Sequence, residues 1–406
     1  MTLRLLPLAL ALCAVPVSAT ELRAMLDLRA VNSQAARSFL DGGLGKSRYN
    51  AGSPAINVGQ AVVRGEFDLA DTVSASVELS GDDHHHNVVD IREAWLAWNP
   101  LPSGAWKTRV KAGFFFPPTS VEIDYDGIGW TPKRTISSSA INSWIGEELR
   151  TNGVEWSSRR LGRYANAPYD VGIVAAVFTG NDPAGTLLAW RGWSISDRIA
   201  GRGEALQLAD LPVYRPDGAI PAQSRTIHPF REVDGRPGYY AGMNLNASPN
   251  LELAVLHYDN RANPLAVQRG QYGWRTRFDH VSAVWRPAPG WELLMQAMRG
   301  DTLMGPNAVA VDFRSWYVLA SRPVGAGVLA LRYDHFCTLG HDILPGDPND
   351  ETGHAIALAY HLPLSDTLSL MLESLQVQSE RGSRGLIAEP GRQTERSLTM
   401  ALRWQF

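Results

Sequence analysis

The sequence predicts an all-β fold: a closed antiparallel β-barrel that crosses a membrane on sixteen strands. Three observations predict it. Apolar and polar residues alternate strictly in many short segments, long and short connections alternate between those segments, and aromatic residues collect at the short-connection ends. Composition narrows the class. The 406 residues carry 38 Lys and Arg against 41 Asp and Glu, a net charge of −3, so no electrostatic footprint for nucleic acid is present. Charged residues are only 19%, below the roughly 25% usual for soluble domains. With 13 Trp, 12 Tyr and 11 Phe the chain is too aromatic to be a solvated, disordered one. After residue 20 no apolar run approaches the ~18–20 residues of a spanning helix. The longest, Val171 to Phe178, is a strand's length.

Residues 1–19 read as a secretory signal peptide, with Arg4 as the positive region, Leu5 to Val15 as the apolar stretch and Val17-Ser18-Ala19 as the cleavage site. Residues 20–406 are then the barrel. Cleavage removes Cys13 and leaves Cys337 alone, so no internal disulfide is expected.

The alternation predicts strands at 22–31, 57–68, 72–80, 89–98, 107–116, 151–158, 169–179, 238–247, 251–259, 274–286, 291–300, 312–322, 326–335, 353–362, 367–378 and 395–406. The last is the clearest: Leu398, Met400, Leu402, Trp404 and Phe406 oppose Ser397, Thr399, Ala401, Arg403 and Gln405. Long connections fall at 32–56, 81–88, 117–150, 180–237, 260–273, 301–311, 336–352 and 379–394. Short ones include Ala70-Asp71, Ser248-Pro249-Asn250, Ala288-Pro289-Gly290 and Val324-Gly325. All the long connections then lie at one end, as in outer-membrane barrels with short periplasmic turns. An even strand number returns the chain to the side where it began. Residues Leu187 to Ser196 are a further candidate strand that, with a partner, makes eighteen. Trp98, Trp106, Tyr169, Trp285, Trp291 and Trp404 fall near periplasmic ends, where rings prefer the hydrocarbon–water interface.

Closure follows from energetics. An unpaired backbone group in hydrocarbon costs about 2–7 kcal/mol, and only a closed sheet removes its edges. An Arg on the lipid face near mid-membrane costs roughly 2–4 kcal/mol. Arg23, Arg29, Arg64, Arg109, Lys111, Arg277, Arg314, Arg332 and Arg403 are therefore expected to point into the lumen. Asp27, Glu66, Asp68, Asp279, Asp312, Asp334 and Glu373 are expected beside them. A lumen this charged is expected to hold water and to pass solutes.

The chain resembles a Gram-negative outer-membrane porin. Phe406 at the end of an alternating strand resembles the terminal signature read by the barrel assembly machinery. Over residues 89–182 the chain is similar to the phosphate-selective porin O and P family. The likeness rests on Glu93-Ala94-Trp95-Leu96, Lys111-Ala112-Gly113-Phe114-Phe115, Pro117-Pro118 with Glu122, Gly153-Val154-Glu155-Trp156 and Phe178-Thr179-Gly180-Asn181-Asp182. The resemblance implies an outer-membrane location, a channel for small hydrophilic solutes (among them anions such as phosphate) and a homotrimer surrounded by lipid bilayer and lipopolysaccharide. The chain departs from that family's dense ladder of lumen Arg and Lys. Lysine is confined to Lys46, Lys107, Lys111 and Lys133, and acids are numerous on the expected lumen face.

The resemblance also implies that the third long connection, 117–150, folds inward and narrows the barrel. Ser137 to Leu149 fits a short helix, with Trp144 and Ile145 packing it on the wall. Arg109 and Lys111 would then face Glu122, Asp124 and Asp126 across a constriction, with Lys133 and Arg134 on the same loop. Opposed charges of this kind set up a transverse field that filters ions.

Other features carry less. His84-His85-His86 are consecutive, so they do not share one face of a strand, and no metal is expected. Loop 180–237, with Pro183, Pro212, Pro216, Pro221 and Pro229, is a candidate cap for the mouth. No Gly-x-Ser-x-Gly or His-Glu-x-x-His motif occurs, so neither enzyme activity nor a cofactor is expected. A barrel lipid hydrolase, or a structural or adhesive barrel with a plugged lumen, are the alternatives.

Overall fold

The computed structural model describes residues 20–83, 89–123, 128–247, 249–344 and 346–406. The signal segment 1–19, the triplet His84-His85-His86, and Asp124 and Asp126 lie outside the described residues. Sixteen strands close into one antiparallel barrel in chain order. They are β1 (Glu21–Ser33), β2 (Ile56–Ala70), β3 (Val73–Gly81), β4 (Asp90–Trp98), β5 (Trp106–Phe115), β6 (Thr151–Arg160), β7 (Asp170–Thr179) and β8 (Gly238–Ala247). The second half is β9 (Leu251–Asp259), β10 (Arg275–Trp285), β11 (Glu292–Met304), β12 (Val309–Val324), β13 (Gly327–Gly340), β14 (Glu351–Pro363), β15 (Leu368–Arg381) and β16 (Arg392–Gln405). Closure is made by β1 and β16, with Asp27 opposite Arg403 and Leu28 opposite Leu402. Beyond the strand itself, Phe406 exchanges two backbone hydrogen bonds with Ala24, at 2.7 and 3.0 Å.

Each predicted strand is present. The count is sixteen and not eighteen, because Leu187 to Ser196 is not a strand. Its first part belongs to a short helix, Thr186–Trp190, and the whole segment is buried inside the barrel. Strands β11, β12 and β13 run several residues further outward than their alternation suggested.

The outer surface is what a bilayer requires. Leu398, Met400, Leu402 and Trp404 are exposed, as are Leu22 and Leu28 on the adjoining strand. Trp98, Trp106, Tyr169, Trp285, Trp291 and Trp404 are all exposed at the short-turn end. A soluble core would bury these rings; a membrane girdle presents them.

The interior corrects one expectation. Inward side chains on β10–β15 are nearly all buried: Thr276, Phe278, His280, Gln296, Met298, Phe313, Tyr317, Arg332, Asp334, Ala357, Glu373 and Val377 among them. Loops fill this half of the lumen, so the charges there meet protein and not water. The same packing reverses the face of two strands. Phe278 touches Trp144 of the inward loop, with ring centroids 5.7 Å apart. Arg277 and Asp279 share the face of exposed Val281 and Trp285, and Arg314 and Asp312 share that of exposed Trp316 and Val318. Arg277, Arg314, Asp279 and Asp312 therefore lie on the outer wall, not in the lumen. The polar-equals-inward rule fails where the inward face is packed with aromatic residues.

Candidate functional site: a loop-bounded passage

Among the described residues, outer loops 34–55, 117–150 and 180–237 enter the barrel. Loop 117–150 is held by buried charge. Glu122 accepts from Arg332 Nη1 at 2.7 Å, from Asn142 Nδ2 at 2.6 Å and from the Ser139 backbone. Arg332 also donates to Asp334 at 2.8 Å, to Ser137 O and to Ser138 O. Glu373 accepts from the Ile136 and Ser137 backbone N–H groups at 2.8 and 3.1 Å. The predicted helix is present as Ala140–Glu148, N-capped by Ser139, whose hydroxyl accepts from Asn142 N. Trp144 packs edge-on against Phe278, Phe313 and Trp193, with centroids 5.7, 5.3 and 6.1 Å away. The inward-folded third loop is thus as expected.

Loop 180–237 is held by Asp197, which accepts from Arg29 at 2.5 Å, Gln60 at 2.9 Å and Arg48 at 3.2 Å. Burial pushes this carboxyl up, but Arg29 and Arg48 outweigh burial and hold it below the usual carboxylate range. The first loop, 34–55, contributes Lys46, paired with Glu351 at 2.5 Å in full burial. Burial outweighs that partner and lowers the ammonium to about 7.

The two longer loops meet at Glu148. Its carboxylate accepts from Leu187 N at 3.0 Å and from Trp144 Nε1 at 2.5 Å. Burial pushes it up to about 7, against these hydrogen bonds. Its folded value thus lies above the ordinary one near 4.5, so the ionised form is disfavoured in the packed state. The contact contributes fully below about pH 4.5 and weakens as pH rises through about 7. Amide exchange in 186–192, corrected for intrinsic rates, should be faster at pH 8 than at pH 5.5, and Glu148→Gln should flatten that difference. Equal protection in wild type at both values would refute it.

Water reaches the other half of the inner wall. On β1 to β7, the inward residues Arg23, Glu66, Asp68, Trp95, Lys107, Arg109, Lys111 and Arg159 are half-buried or exposed. Lys111 pairs with Glu155 at 3.3 Å, and Tyr240 donates to the same carboxylate at 2.5 Å. Arg109 lies over the Trp95 ring, 4.7 Å from its centroid. Arg64 pairs with Glu66 at 3.4 Å, Arg23 with Glu21 at 2.6 Å and Arg159 with Asp170 at 2.8 Å.

The structure therefore divides the predicted site residues. Arg23, Arg109 and Lys111 line the water-accessible strip, and Arg64 is buried beside it. Arg29 and Arg403 are buried around Asp27, at 2.9 and 3.0 Å. Arg332 lies beneath the loop, and Arg134 pairs with Glu292 at 3.0 Å. Glu122 does not face Arg109 and Lys111, because Arg332 and the Ser139 turn draw it into the loop. The partner of Lys111 is Glu155, which sequence reading placed in a motif but not in the site. Its position between outward Val154 and Trp156 was the available signal. Asp197 and Arg48 had none, since no periodicity marks a loop folded inside a barrel.

No family model matches the chain, and no curated protein matches it. Solved structures do. The outer membrane channel DcaP of Acinetobacter baumannii is similar with a TM-score of 0.54 at 8% identity, over 95% of this chain and 96% of that one. OmpT of Vibrio cholerae, an outer membrane protein in its trimer form, is similar at 0.52 and 9%, over 96% and 100%. An anion-selective porin from Comamonas acidovorans is similar at 0.51 and 13%, over 95% and 99%. At these identities the likeness concerns architecture alone: this chain has the barrel fold of these outer-membrane proteins, and its apolar girdled wall suits a bilayer.

Proposed function

We propose that the chain is an outer-membrane diffusion channel for small hydrophilic solutes, its passage running along β1–β8 between that wall and the inserted loops. One observation carries the reading. A strip of inward charges on β1–β6, made by Arg23, Glu66, Asp68, Lys107, Arg109, Lys111 and Arg159, remains open to water, while Arg332, Asp334, Glu351, Glu373 and Arg381 on β13–β15 are sealed against protein. Arg109, which has no ion-pair partner among the described residues, and Lys111 bias the strip toward anions, phosphate included. Export by cleavage after residue 19, insertion through the strand ending at Phe406, contact with lipopolysaccharide and assembly as a homotrimer belong to this proposal.

Purified protein in a planar bilayer should give discrete conductance steps. In a KCl gradient the reversal potential should have the sign of anion preference, and Arg109→Glu with Lys111→Glu should move it toward cations. An electrically silent barrel would overturn the channel reading and favour a plugged structural barrel.

A further inference from the structure

Where the water-open strip ends, beside Arg159, the inner wall holds a niche of about 290 Å³ over β6–β10, with Val121 of loop 117–150 as its roof. The ladder shows how the sequence makes it. One rung carries Arg159, Gly172, Asn244, Ala254 and Ser282 side by side across β6 to β10. The small residues Gly172, Ala254 and Ser282 leave a hollow, and the Asn244 side chain stands in it. Gly172 is needed for that, because a Cβ there would lie 2.6 Å from Asn244 Oδ1. The next rung toward the short turns sets Asn246 between Asp170 and Glu252. The roof is fixed as well. Buried Gln296 accepts from Val121 N at 3.3 Å and donates to Thr119 O at 2.7 Å. With a ladder for its floor and a pinned roof, the niche exists before any solute arrives, so little ordering opposes binding.

Its chemistry differs from that of the strip. The charges at its edges are already paired: Arg159 with Asp170 at 2.8 Å and Glu252 with Arg286 at 2.9 Å. Lys107, opposite Arg159 on β5, stands outside the lining. An ion entering the niche would lose hydration and meet no free counter-charge. Between the two pairs stand the carboxamides of Asn244 and Asn246, and neither has a hydrogen-bond partner among the described residues. A carboxamide both donates and accepts, and so does a hydroxyl, whereas a carboxylate only accepts and an ammonium only donates. Residues i and i+2 of a strand lie about 6.6 Å apart on one face, close to the span between hydroxyl groups on opposite edges of a sugar ring. Val121 and Ala254 offer apolar surface to the C–H face of such a ring. The volume lies at the small end of ligand pockets, near ~300 Å³, and suits one ring.

We propose that this niche binds a neutral polyhydroxylated solute the size of one pyranose, held by the Asn244 and Asn246 carboxamides. Neutral sugars and small anions then use different parts of one inner wall. The inference rests on the reading of this lumen as a passage, but binding is measured apart from conductance, so each can fail alone.

Saturation-transfer NMR of the full barrel, in a detergent without a sugar headgroup, tests it with glucose, glucuronate, and inorganic phosphate as a competitor. Glucose should saturate wild type and bind more tightly than glucuronate. Asn244→Leu with Asn246→Leu keeps side-chain size and should weaken glucose roughly tenfold, as loss of hydrogen bonds from two carboxamides implies. The reversal potential of that variant in a KCl gradient should stay that of wild type. Asn244→Ala with Asn246→Ala, which adds no bulk, should weaken glucose alike. Heat-modifiable gel mobility verifies that each variant is folded. No saturation of wild type by glucose, or undiminished binding by both variants, would overturn the proposal. Tighter binding of glucuronate, or displacement of glucose by an equal concentration of phosphate, would overturn it in favour of an anion site. A barrel that binds glucose and conducts nothing would remove the passage and leave the niche standing.

Discussion

Replacing Arg332 with methionine should raise single-channel conductance and its fluctuation, while the barrel stays folded. Arg332 is fully buried and joins β13 to loop 117–150 through Glu122, Thr135, Ser137 and Ser138. Methionine fills much of the same space but leaves Glu122 and Asp334, both buried, without their cation. Removing one partner from a buried ion network costs roughly 3–5 kcal/mol. The strand ladder makes none of these bonds, so the loss falls on the loop. Conductance in planar bilayers reads the loop, and heat-modifiable gel mobility reads the barrel. Unchanged conductance would mean that loop 117–150 does not bound the passage.

Asp197→Asn should release loop 180–237. The substitution keeps shape but removes the anion that Arg29, Arg48 and Gln60 share. Arg29 retains Asp27 and Arg48 retains Asp83, so the expected loss is near the lower end, about 3 kcal/mol. Protease added outside intact cells should cut within 183–200 in the variant and spare wild type. The pH dependence has a definite sign. The folded carboxyl is held below its ordinary value near 3.8, so its contribution is complete above that value and lost as pH falls further. Wild type should therefore resist the protease across pH 5–8. The variant should be cut throughout that range, and resistance equal to wild type would show that the loop is held by its packing alone.

The strands were legible because a two-sided wall imposes period-two alternation and a bilayer collects rings at its edges. Trp285 and Trp404 mark that edge from sequence alone. The side each strand turns inward was legible where the inward face is polar, whether wet, as at Lys111, or packed dry, as at Arg332. On β5, Arg109 and Lys111 obey the expectation; on β10, Phe278 turns inward and Arg277 outward. Deciding between them requires knowing where loop aromatic residues such as Trp144 pack on the inner wall, and those loops have no repeat to read. The helix of loop 117–150 was legible from Trp144 and Ile145, but Glu122 was not. Its carboxylate answers to Arg332, 210 residues away.

Such separations govern how the molecule is made. Asp197 meets Arg29 across 168 positions, and Arg403 meets Asp27 across 376. Contacts of high contact order form slowly, because the chain loses its loop entropy before they repay it. The interior of this barrel joins its first strand to its last third, so it condenses only as the ends come together. Until then Trp144, Trp193 and Phe313 have no completed wall to pack on, and the nascent chain must be shielded from aggregation.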